Sequence, residues 1–354
     1  MFMKRYRIAF YIHHHGSGHF MRSLSIAKAM NIDNIIFIGS DLKRFSHIIP
    51  ANIQVLELPL DIPTSTDENY QEGNKVDCFH YVPLLVKGVT DRAALLSAFF
   101  QRSMPLLLIV DVSVEVAMLA RLCGIPTIIM RQHGIRSDLP HQLAYQSAEL
   151  LIAPFGKELE TSNNAAVIEK TFYSGGFSRT HLQTENLVAY DDQVAILIGT
   201  GGSSLDLNTI LLIANQCTSY YFHILGEIAE PKNDFLTNIT FHGQVDNVEE
   251  ILVRCKVVIG NLGHNTVMEI ATLNKPFIGI PESRPFDEQI DKANAMKTIE
   301  GFEVILPEEI GSTDWKVLIE RMSNSNSNLS VIIHPNALES TANRIHQLAT
   351  ELFP

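Results

Sequence analysis

Short apolar segments that alternate with helical segments constrain the fold of this chain more than any other feature. In the first half, strands are predicted at residues 7–12, 35–38, 55–58, 106–110, 127–130 and 150–153. Helices are predicted at residues 20–30, 82–101, 114–123 and 139–147. Several strands are apolar at every position, which is typical of parallel strands that helices cover on both faces. The first half is therefore predicted to be a parallel α/β sheet.

The second half begins the same plan again, with an apolar strand at 194–198, a glycine turn at 199–204 and a helix at 205–217. A chain of 354 residues exceeds the usual size of one core. We therefore predict a domain at residues 1–176, a second domain at 177–335, and a C-terminal helix at 336–354 that packs back on the first domain. Two such domains facing one another leave a cleft at the carboxyl ends of their strands.

Charge and composition narrow the class of protein. The first 176 residues carry 16 basic and 16 acidic side chains, so the net charge of −12 lies in the remainder. An acidic chain is a poor nonspecific binder of nucleic acid. No apolar run approaches the roughly 20 residues of a membrane span, and the N-terminus leads directly into the first strand without a signal core. Four widely spaced cysteines indicate neither a disulfide framework nor a zinc site. We expect a cytoplasmic protein.

A strand, a glycine-rich turn, a helix and a second strand follow one another within residues 258–281. The turn at 260–266 is too small and too polar to belong to a core. Backbone N–H groups at the start of the next helix are therefore expected to face an anion. Glu269 comes one helical turn later, within reach of hydroxyl groups beside that anion. This order of parts predicts a site for a nucleotide that carries a sugar.

A second glycine loop, with Gly201, Gly202 and Ser203, also joins a strand to a helix and could hold the same diphosphate. Neither loop has the lysine and spacing of a P-loop, so ATP hydrolysis of that kind is disfavoured. The loop after the first strand has Gly16 and Gly18 but no third glycine, which gives little support to dinucleotide binding.

The first strand ends in three histidines and a Gly-Ser-Gly-His sequence whose last residue, His19, begins a helix. A histidine at this edge can take a proton from a hydroxyl group. Asp111 follows another strand, so it either orients His19 or interacts with the N-terminus of the helix that follows it. Residues 13–15 are adjacent at a strand end, and the expected alternation of their side chains argues against a metal site.

The next predicted strand is followed by Arg131, His133 and Arg136. Because the carboxyl ends of parallel strands lie at one edge of the sheet, these side chains could line the same cleft and contact an acceptor or a phosphate. Solvated loop residues are the alternative interpretation.

These segments resemble the GT-B glycosyltransferases, especially the group that contains the N-acetylglucosaminyltransferase of the lipid II pathway and the UDP-glycosyltransferases of secondary metabolism. The resemblance covers nearly the whole chain and is most specific at residues 260–281. It implies an α/β fold with two Rossmann-like, doubly wound domains facing a central cleft. It also implies an inverting, metal-independent transfer of a sugar from a UDP-linked donor to an acceptor hydroxyl, without a cofactor.

The same resemblance assigns roles to individual residues. It implies that His19 is the catalytic base, with Asp111 beside it, and that Glu269 holds the ribose hydroxyls. The residues implied for the donor are Gly18, Arg179, Gly201, Gly202, Ser203, Gly243, Val245, Gly263, His264, Asn265, Thr266, Glu269, Glu288 and Gln289. Two features depart from the family pattern: Glu288 and Gln289 lie two residues too far from the Asn-Ala at 294–295, and His264 replaces a small or aromatic residue.

Other functions remain open at this point. The Gly-Ser-Gly-His-x-x-Arg sequence also resembles the UDP-sugar hydrolase of the pseudaminic acid pathway, which uses its histidine on water. A UDP-sugar 2-epimerase and a noncatalytic nucleotide-sugar-binding protein are further alternatives. The long loop at 59–75 and the helix at 82–101 supply material for an acceptor pocket, which favours transfer. The expected partners are a nucleotide-sugar donor and an acceptor whose class stays open, as does the oligomeric state; a lipid-linked acceptor would require peripheral membrane contact.

Overall fold

The computed structural model describes residues 6–71, 76–178, 189–199, 203–228, 237–245 and 247–354, so the predicted donor residues Arg179, Gly201 and Gly202 lie outside the described residues. The strands are β1 (Arg7–Ile12), β2 (Ile35–Gly39), β3 (Gln54–Glu57), β4 (Leu106–Asp111), β5 (Thr127–Met130), β6 (Leu150–Ala153), β7 (Thr171–Tyr173), β8 (Tyr190–Leu197), β9 (Tyr221–Leu225), β10 (Ile239–Gly243), β11 (Cys255–Asn261), β12 (Phe277–Ile280) and β13 (Phe302–Val304). The α-helices are α1 (Gly18–Met30), α2 (Lys87–Ser103), α3 (Val114–Leu122), α4 (Leu139–Ser147), α5 (Ala165–Lys170), α6 (Leu207–Gln216), α7 (Glu249–Leu252), α8 (His264–Thr272), α9 (Glu288–Met296), α10 (Trp315–Ser323) and α11 (Ala337–Leu352).

The first sheet has the strand order β3-β2-β1-β4-β5-β6-β7, and every pairing is parallel. Its two faces pack against separate apolar clusters, which explains why β4 is buried at all six positions. The strand order reverses between β1 and β4, whose last residues, Ile12 and Asp111, are register partners. In open α/β sheets such a reversal leaves a crevice at the carboxyl ends of the two strands.

The second sheet has the order β10-β9-β8-β11-β12-β13 and is also parallel throughout. Two further apolar clusters cover its faces, and one of them contains the fully buried Trp315, whose indole N–H donates to the carbonyl oxygen of Ile310. The reversal here lies between β8 and β11. The prediction of an α/β fold with two Rossmann-like sheets is confirmed.

The start of α2 differs from the prediction, which placed the helix at 82–101. The helix begins at Lys87 because Leu84 forms an antiparallel bridge with Gln71, and Leu85 has a left-handed backbone with φ of 61°. Both features are incompatible with a helix that starts at residue 82.

Helix α11 returns to the first sheet and packs against α1, where Ala342, Ile345 and Ala349 join the apolar cluster of that face. Beside it, Gly176 and Ile333 form an isolated parallel bridge: Gly176 N–H donates to Ile332 O, and His334 N–H donates to Gly176 O, both at 2.9 Å. The division into residues 1–176, 177–335 and 336–354 stays a prediction.

Among the described residues, every helix is too short or too polar to cross a membrane. All four cysteines are free thiols.

Candidate active site

A buried carboxylate joins two side chains of α1 at the crevice of the first sheet. Asp111 is 1% exposed and lies at the end of β4. His19 Nδ1 lies 3.1 Å from Asp111 Oδ1, while Arg22 donates from Nη2 to Oδ1 at 2.5 Å and from Nε to Oδ2 at 3.2 Å. The spacing of three residues places His19 and Arg22 on one face of α1. Asp111 therefore orients His19, whereas α3 is capped by Ser113, whose hydroxyl accepts from Val116 N–H.

Charge keeps this carboxylate ionised. Burial alone would raise the pKa of Asp111, but the adjacent Arg22 and His19 lower it well below its usual value. Arg22 already donates twice to Asp111, and a guanidinium cannot accept a hydrogen bond. His19 Nδ1 lies 3.1 Å from Asp111 Oδ1 and also 3.2 Å from Arg22 Nη2. With its proton on Nδ1, His19 donates to the carboxylate, and Nε2 is then the atom that accepts a proton.

The start of α8 supplies backbone donors on the other side of the cleft. Its N-cap is Gly263, which has no side chain to occupy the first N–H groups of the helix. Gly263 N–H itself donates to Asn261 Oδ1 at 3.0 Å, which fixes the turn that follows β11. The amides of His264, Asn265 and Thr266 therefore begin a helix at a site suited to a phosphate.

The two sides meet at Gly18 and Asn265. A Cβ placed on Gly18 would lie 3.4 Å from Asn265 Nδ2, so the start of α1 touches the start of α8. One cavity is lined by residues from both halves: Met21, Arg22, Ser25, Phe177, Ser178, His264, Asn265, Met268 and Glu269. The structure thus gathers His19, Asp111, Asn265 and Glu269 around one cleft, although they are far apart in the sequence.

His264 lies in the floor of this cleft. Its Nε2 is buried without a hydrogen-bond partner among the described residues. Burial, followed by the charge of Lys292, lowers the pKa of His264 well below its usual value, so its imidazole is neutral at pH 7. A second cavity contains His264 together with Arg22, His133, Glu288 and Lys292.

The predicted donor-sugar pair has a different environment from the one expected. Gln289 is 4% exposed, and its Oε1 accepts from Leu262 N–H at 3.0 Å and from Glu282 N–H at 2.9 Å. This oxygen therefore ties the ends of β11 and β12 together and is not available to a sugar. Glu288 Oε1 lies 3.6 Å from the ammonium of Lys292. Contact between this pair and a donor sugar stays a prediction.

The remaining predicted donor residues surround the second sheet's carboxyl edge. Ser203 Oγ accepts from Leu205 N–H at 3.1 Å, next to the start of α6. Gly243 ends β10 with φ of 62°, and Val245 packs on the apolar cluster beneath. Their contacts with a nucleotide stay predictions.

Arg131 lines the second cavity with His133, but it is 5% exposed and forms an ion pair with Glu160, so its contact with an acceptor stays a prediction. One expectation for the first half was wrong. The rings of the adjacent residues His13 and His14 do not alternate but stack with centroids 4.8 Å apart, because β1 ends at Ile12 and the chain leaves the extended conformation. Burial lowers the pKa of His13 to about 3, so the stacked rings are not mutually charged at pH 7.

Three residues of the site received no role from the sequence. Arg22 was part of the histidine motif, and its position one turn after His19 was the available signal. Glu282 is buried and accepts from Ser204 N–H at 2.6 Å and from Ser204 Oγ at 2.9 Å, which fixes Ser204 just after Ser203. Lys292 is 2% exposed and donates to Leu262 O at 2.9 Å; no pattern in the sequence distinguishes this lysine from a surface one.

Comparison with known structures decides the fold family. A glycosyltransferase linked to kitacinnamycin superposes with a TM-score of 0.69 and 13% identity over 99% of this chain and 100% of that chain. The chain has a GT-B fold. Phytolacca americana UGT2, solved with UDP-2-fluoro-glucose and pterostilbene, gives a TM-score of 0.66 at 13% identity over 99% and 100% of the chains. Acinetobacter baumannii MurG superposes with a TM-score of 0.62 and 13% identity over 96% of this chain and 99% of that chain.

Sequence comparison adds information on the second half. Residues 200–347 match the glycosyltransferase family 28 C-terminal domain. The matched residues include β11, α8 and Glu269. A relative from Geobacillus thermodenitrificans, the UDP-N-acetylglucosamine–N-acetylmuramyl-(pentapeptide) pyrophosphoryl-undecaprenol N-acetylglucosamine transferase, is 25% identical over 226 residues. That match covers 60% of this chain and 62% of the relative, and the homologous enzyme of Geobacillus kaustophilus is 24% identical over the same shares. The chain thus resembles the group of GT-B glycosyltransferases that contains these enzymes.

Proposed function

We propose that this chain is an inverting, metal-independent glycosyltransferase that moves a sugar from a UDP-linked donor to an acceptor hydroxyl. One observation carries the proposal: His19, in contact with the buried Asp111, directly follows Gly18, which lies against Asn265 at the uncapped start of α8. The family 28 domain in the second half supports the transfer of a sugar rather than another reaction of nucleotides.

In the proposed reaction, the acceptor oxygen attacks the anomeric carbon from the side opposite the diphosphate. Its proton passes to Nε2 of His19, and the imidazolium that forms is stabilised by Asp111 at 3.1 Å. The bond between the anomeric carbon and the diphosphate oxygen breaks at the same time. UDP leaves with additional negative charge, which the N–H groups and dipole at the start of α8 stabilise without a metal ion.

The base and the ribose of the donor have separate supports. Glu269 lies one turn inside α8 and lines the same cavity as Asn265, which suits a carboxylate that accepts from the ribose hydroxyls. The segment that ends β10 at Gly243 provides backbone groups for the uracil. The acceptor is proposed to enter from the first half, beside His19. A cytoplasmic location is proposed on the basis of the four free thiols.

The proposal is tested by incubating the protein with a panel of UDP- and dTDP-sugars, with and without candidate acceptors, and measuring released nucleotide. Release that requires an acceptor supports transfer, and equal release without one indicates a hydrolase. Binding of UDP without release from any donor would contradict an enzymatic function.

A substitution tests the role of the proposed base. His19→Ala is expected to lower turnover by about 10²- to 10⁴-fold while the affinity for UDP stays unchanged, because UDP contacts α8. His47→Ala is the control, since His47 is an exposed histidine of the same half. Full activity of the His19 variant would show that the base has been assigned to the wrong residue.

A further inference from the structure

The segment that connects β12 to α9 is held by the opposite half of the molecule. Phe286 O accepts from Ile135 N–H at 2.7 Å. Asp291 Oδ2 accepts from Gly134 N–H at 2.7 Å and from Thr161 Oγ1 at 2.6 Å. Three hydrogen bonds thus join residues 286–291, in the second half, to loops of the first sheet.

The backbone of this segment is in an unfavourable conformation. Phe286 has φ of 63° and ψ of 22°, and Asp287 has φ of 54° and ψ of 34°. Left-handed backbone is uncommon outside glycine, and for a bulky residue it is an outlier. Such conformations persist where surrounding contacts determine them, and they are concentrated at functional sites. The contacts with the first half are those that hold Phe286 in place.

The Phe286 ring lies in a pocket made by His80, Arg136 and His141, which we name the Phe286 pocket. The ring centroids of His80 and His141 lie 4.9 and 4.7 Å from that of Phe286, and Arg136 Cζ lies 5.0 Å from it. Asp138 fixes both imidazoles, with Oδ1 at 2.8 Å from His80 Nε2 and Oδ2 at 2.6 Å from His141 Nδ1.

Two histidines and an aspartate so close together also suggest a metal site. Arg136 argues against it. Its Nη1 lies 3.0 Å from His141 Nε2, and because arginine only donates, Nε2 accepts and Nδ1 carries the proton. A metal ion would need Nδ1 without its proton. His80, Asp138 and His141 therefore form a hydrogen-bonded cluster that packs against the Phe286 ring.

The position of Phe286 determines where α9 begins. Glu288 and Gln289 follow within three residues, and Gln289 is tied to Leu262 N–H, directly before the turn that leads into α8. On the opposite side the fit allows only glycine: a Cβ on Gly134 would lie 2.6 Å from Phe286 O and 3.2 Å from the Cα of Glu288. Gly134 of the first half is therefore in direct contact with the segment that carries the predicted donor-sugar residues, Glu288 and Gln289.

We propose that Phe286 is a positioning residue, held by the Phe286 pocket and by Gly134, that places Glu288 for contact with the sugar of the donor. This inference rests on the proposed function. It separates the two parts of the donor. The nucleotide is bound by α8 of the second half, whereas the sugar is bound well only when the first half holds residues 286–291 in the left-handed conformation.

The test compares, by calorimetry and without an acceptor, the affinities of UDP and of UDP-N-acetylglucosamine. Phe286→Ala removes the ring from the Phe286 pocket, and Gly134→Ala displaces the Phe286 carbonyl group from the opposite half. Both are expected to weaken binding of the UDP-sugar by about tenfold or more, the effect of losing one hydrogen bond to a charged group, and to leave the affinity for UDP within about twofold. Phe286→Tyr keeps the ring and is expected to restore the affinity for the UDP-sugar.

Gly124→Ala is the matched control. Gly124 also has a left-handed backbone, with φ of 73°, but a Cβ there would meet nothing within 4 Å. This variant has the same kind of backbone penalty as Gly134→Ala, and both affinities should stay at the wild-type value.

The outcomes separate this inference from the proposed function. If the wild type binds UDP and the UDP-sugar with equal affinity and releases no nucleotide, both proposals are refuted. If the wild type distinguishes the two ligands and the Phe286 and Gly134 variants distinguish them equally well, only the role of Phe286 is refuted. Equal weakening of UDP and the UDP-sugar in folded variants also refutes it, because the ring would then act on the nucleotide.

Discussion

Replacement of Asp111 by Asn tests whether the buried carboxylate orients and charges the proposed base. Asn has nearly the same size and shape as Asp, so the packing around β4 is retained. One of the two oxygens becomes an NH₂ group, which can only donate. Because both Arg22 and His19 donate to Asp111, at least one of these contacts becomes unfavourable.

The magnitude follows from burial and distance. The side chains of Arg22 and Asp111 are 4% and 1% exposed, and loss of one partner of a buried ion pair costs about 3–5 kcal/mol of unfolding free energy. A charge about 4 Å from an imidazolium is worth about 4 kcal/mol near a protein surface. With part of this interaction retained by the Asn oxygen, we expect turnover to fall by about 10²- to 10³-fold.

The assay combines urea unfolding with acceptor-dependent release of UDP. Glu160→Gln is the matched control, because it breaks a similarly buried ion pair between Arg131 and Glu160, whose side chains are 6% and 8% exposed, and Glu160 lines neither of the two cavities. It should lose comparable stability and keep wild-type turnover at temperatures where it is folded. Wild-type turnover in folded Asp111→Asn, or equal losses in both variants, would refute the orientation of His19 by Asp111.

Two further predictions concern the nucleotide and pH. Glu269→Ala is expected to weaken UDP binding by about tenfold, through loss of hydrogen bonds from the ribose; calorimetry that gives an unchanged affinity would contradict this role. Burial lowers the pKa of His141 from 6.5 to about 4, so folding opposes its protonation, and stability should fall as the pH drops from 6.5 towards 4. In urea unfolding, His141→Gln should reduce this loss by up to about 3 kcal/mol; an identical pH dependence would show that another group is responsible.

The meeting of His19 and Asp111 could be predicted because it follows from topology. Both residues follow apolar strands that end at the same edge, and the reversal of strand order brings β1 and β4 side by side. The glycine turn before α8 was predicted for a similar reason, since a strand, a turn and a helix are adjacent in sequence and need no distant partner. Local order and sheet topology were sufficient for these parts of the site.

Contacts between distant segments were not predictable from the sequence. Gln289 resembled a sugar ligand, yet its oxygen is used by two backbone amides whose positions depend on how β11 and β12 end. Phe286 gave no signal, because its left-handed backbone results from loops of the opposite half. Arg131 had the position of a cleft residue, but Glu160, nearly thirty residues later, pairs with it. Each of these outcomes was decided by a partner remote in sequence.

The pairing of Gly176 with Ile333 has a consequence for movement of the molecule. One connection between the halves follows β7 and the other precedes α11, and they are hydrogen-bonded to each other through Gly176, Ile332 and His334. Gly175 there has φ of 78°, and a Cβ would overlap the ring of His334. Two connections that are hydrogen-bonded side by side form a single hinge between the halves. Movement of one half relative to the other is therefore expected to be a rotation about this pair, which changes the width of the cleft, rather than a sliding of one half past the other.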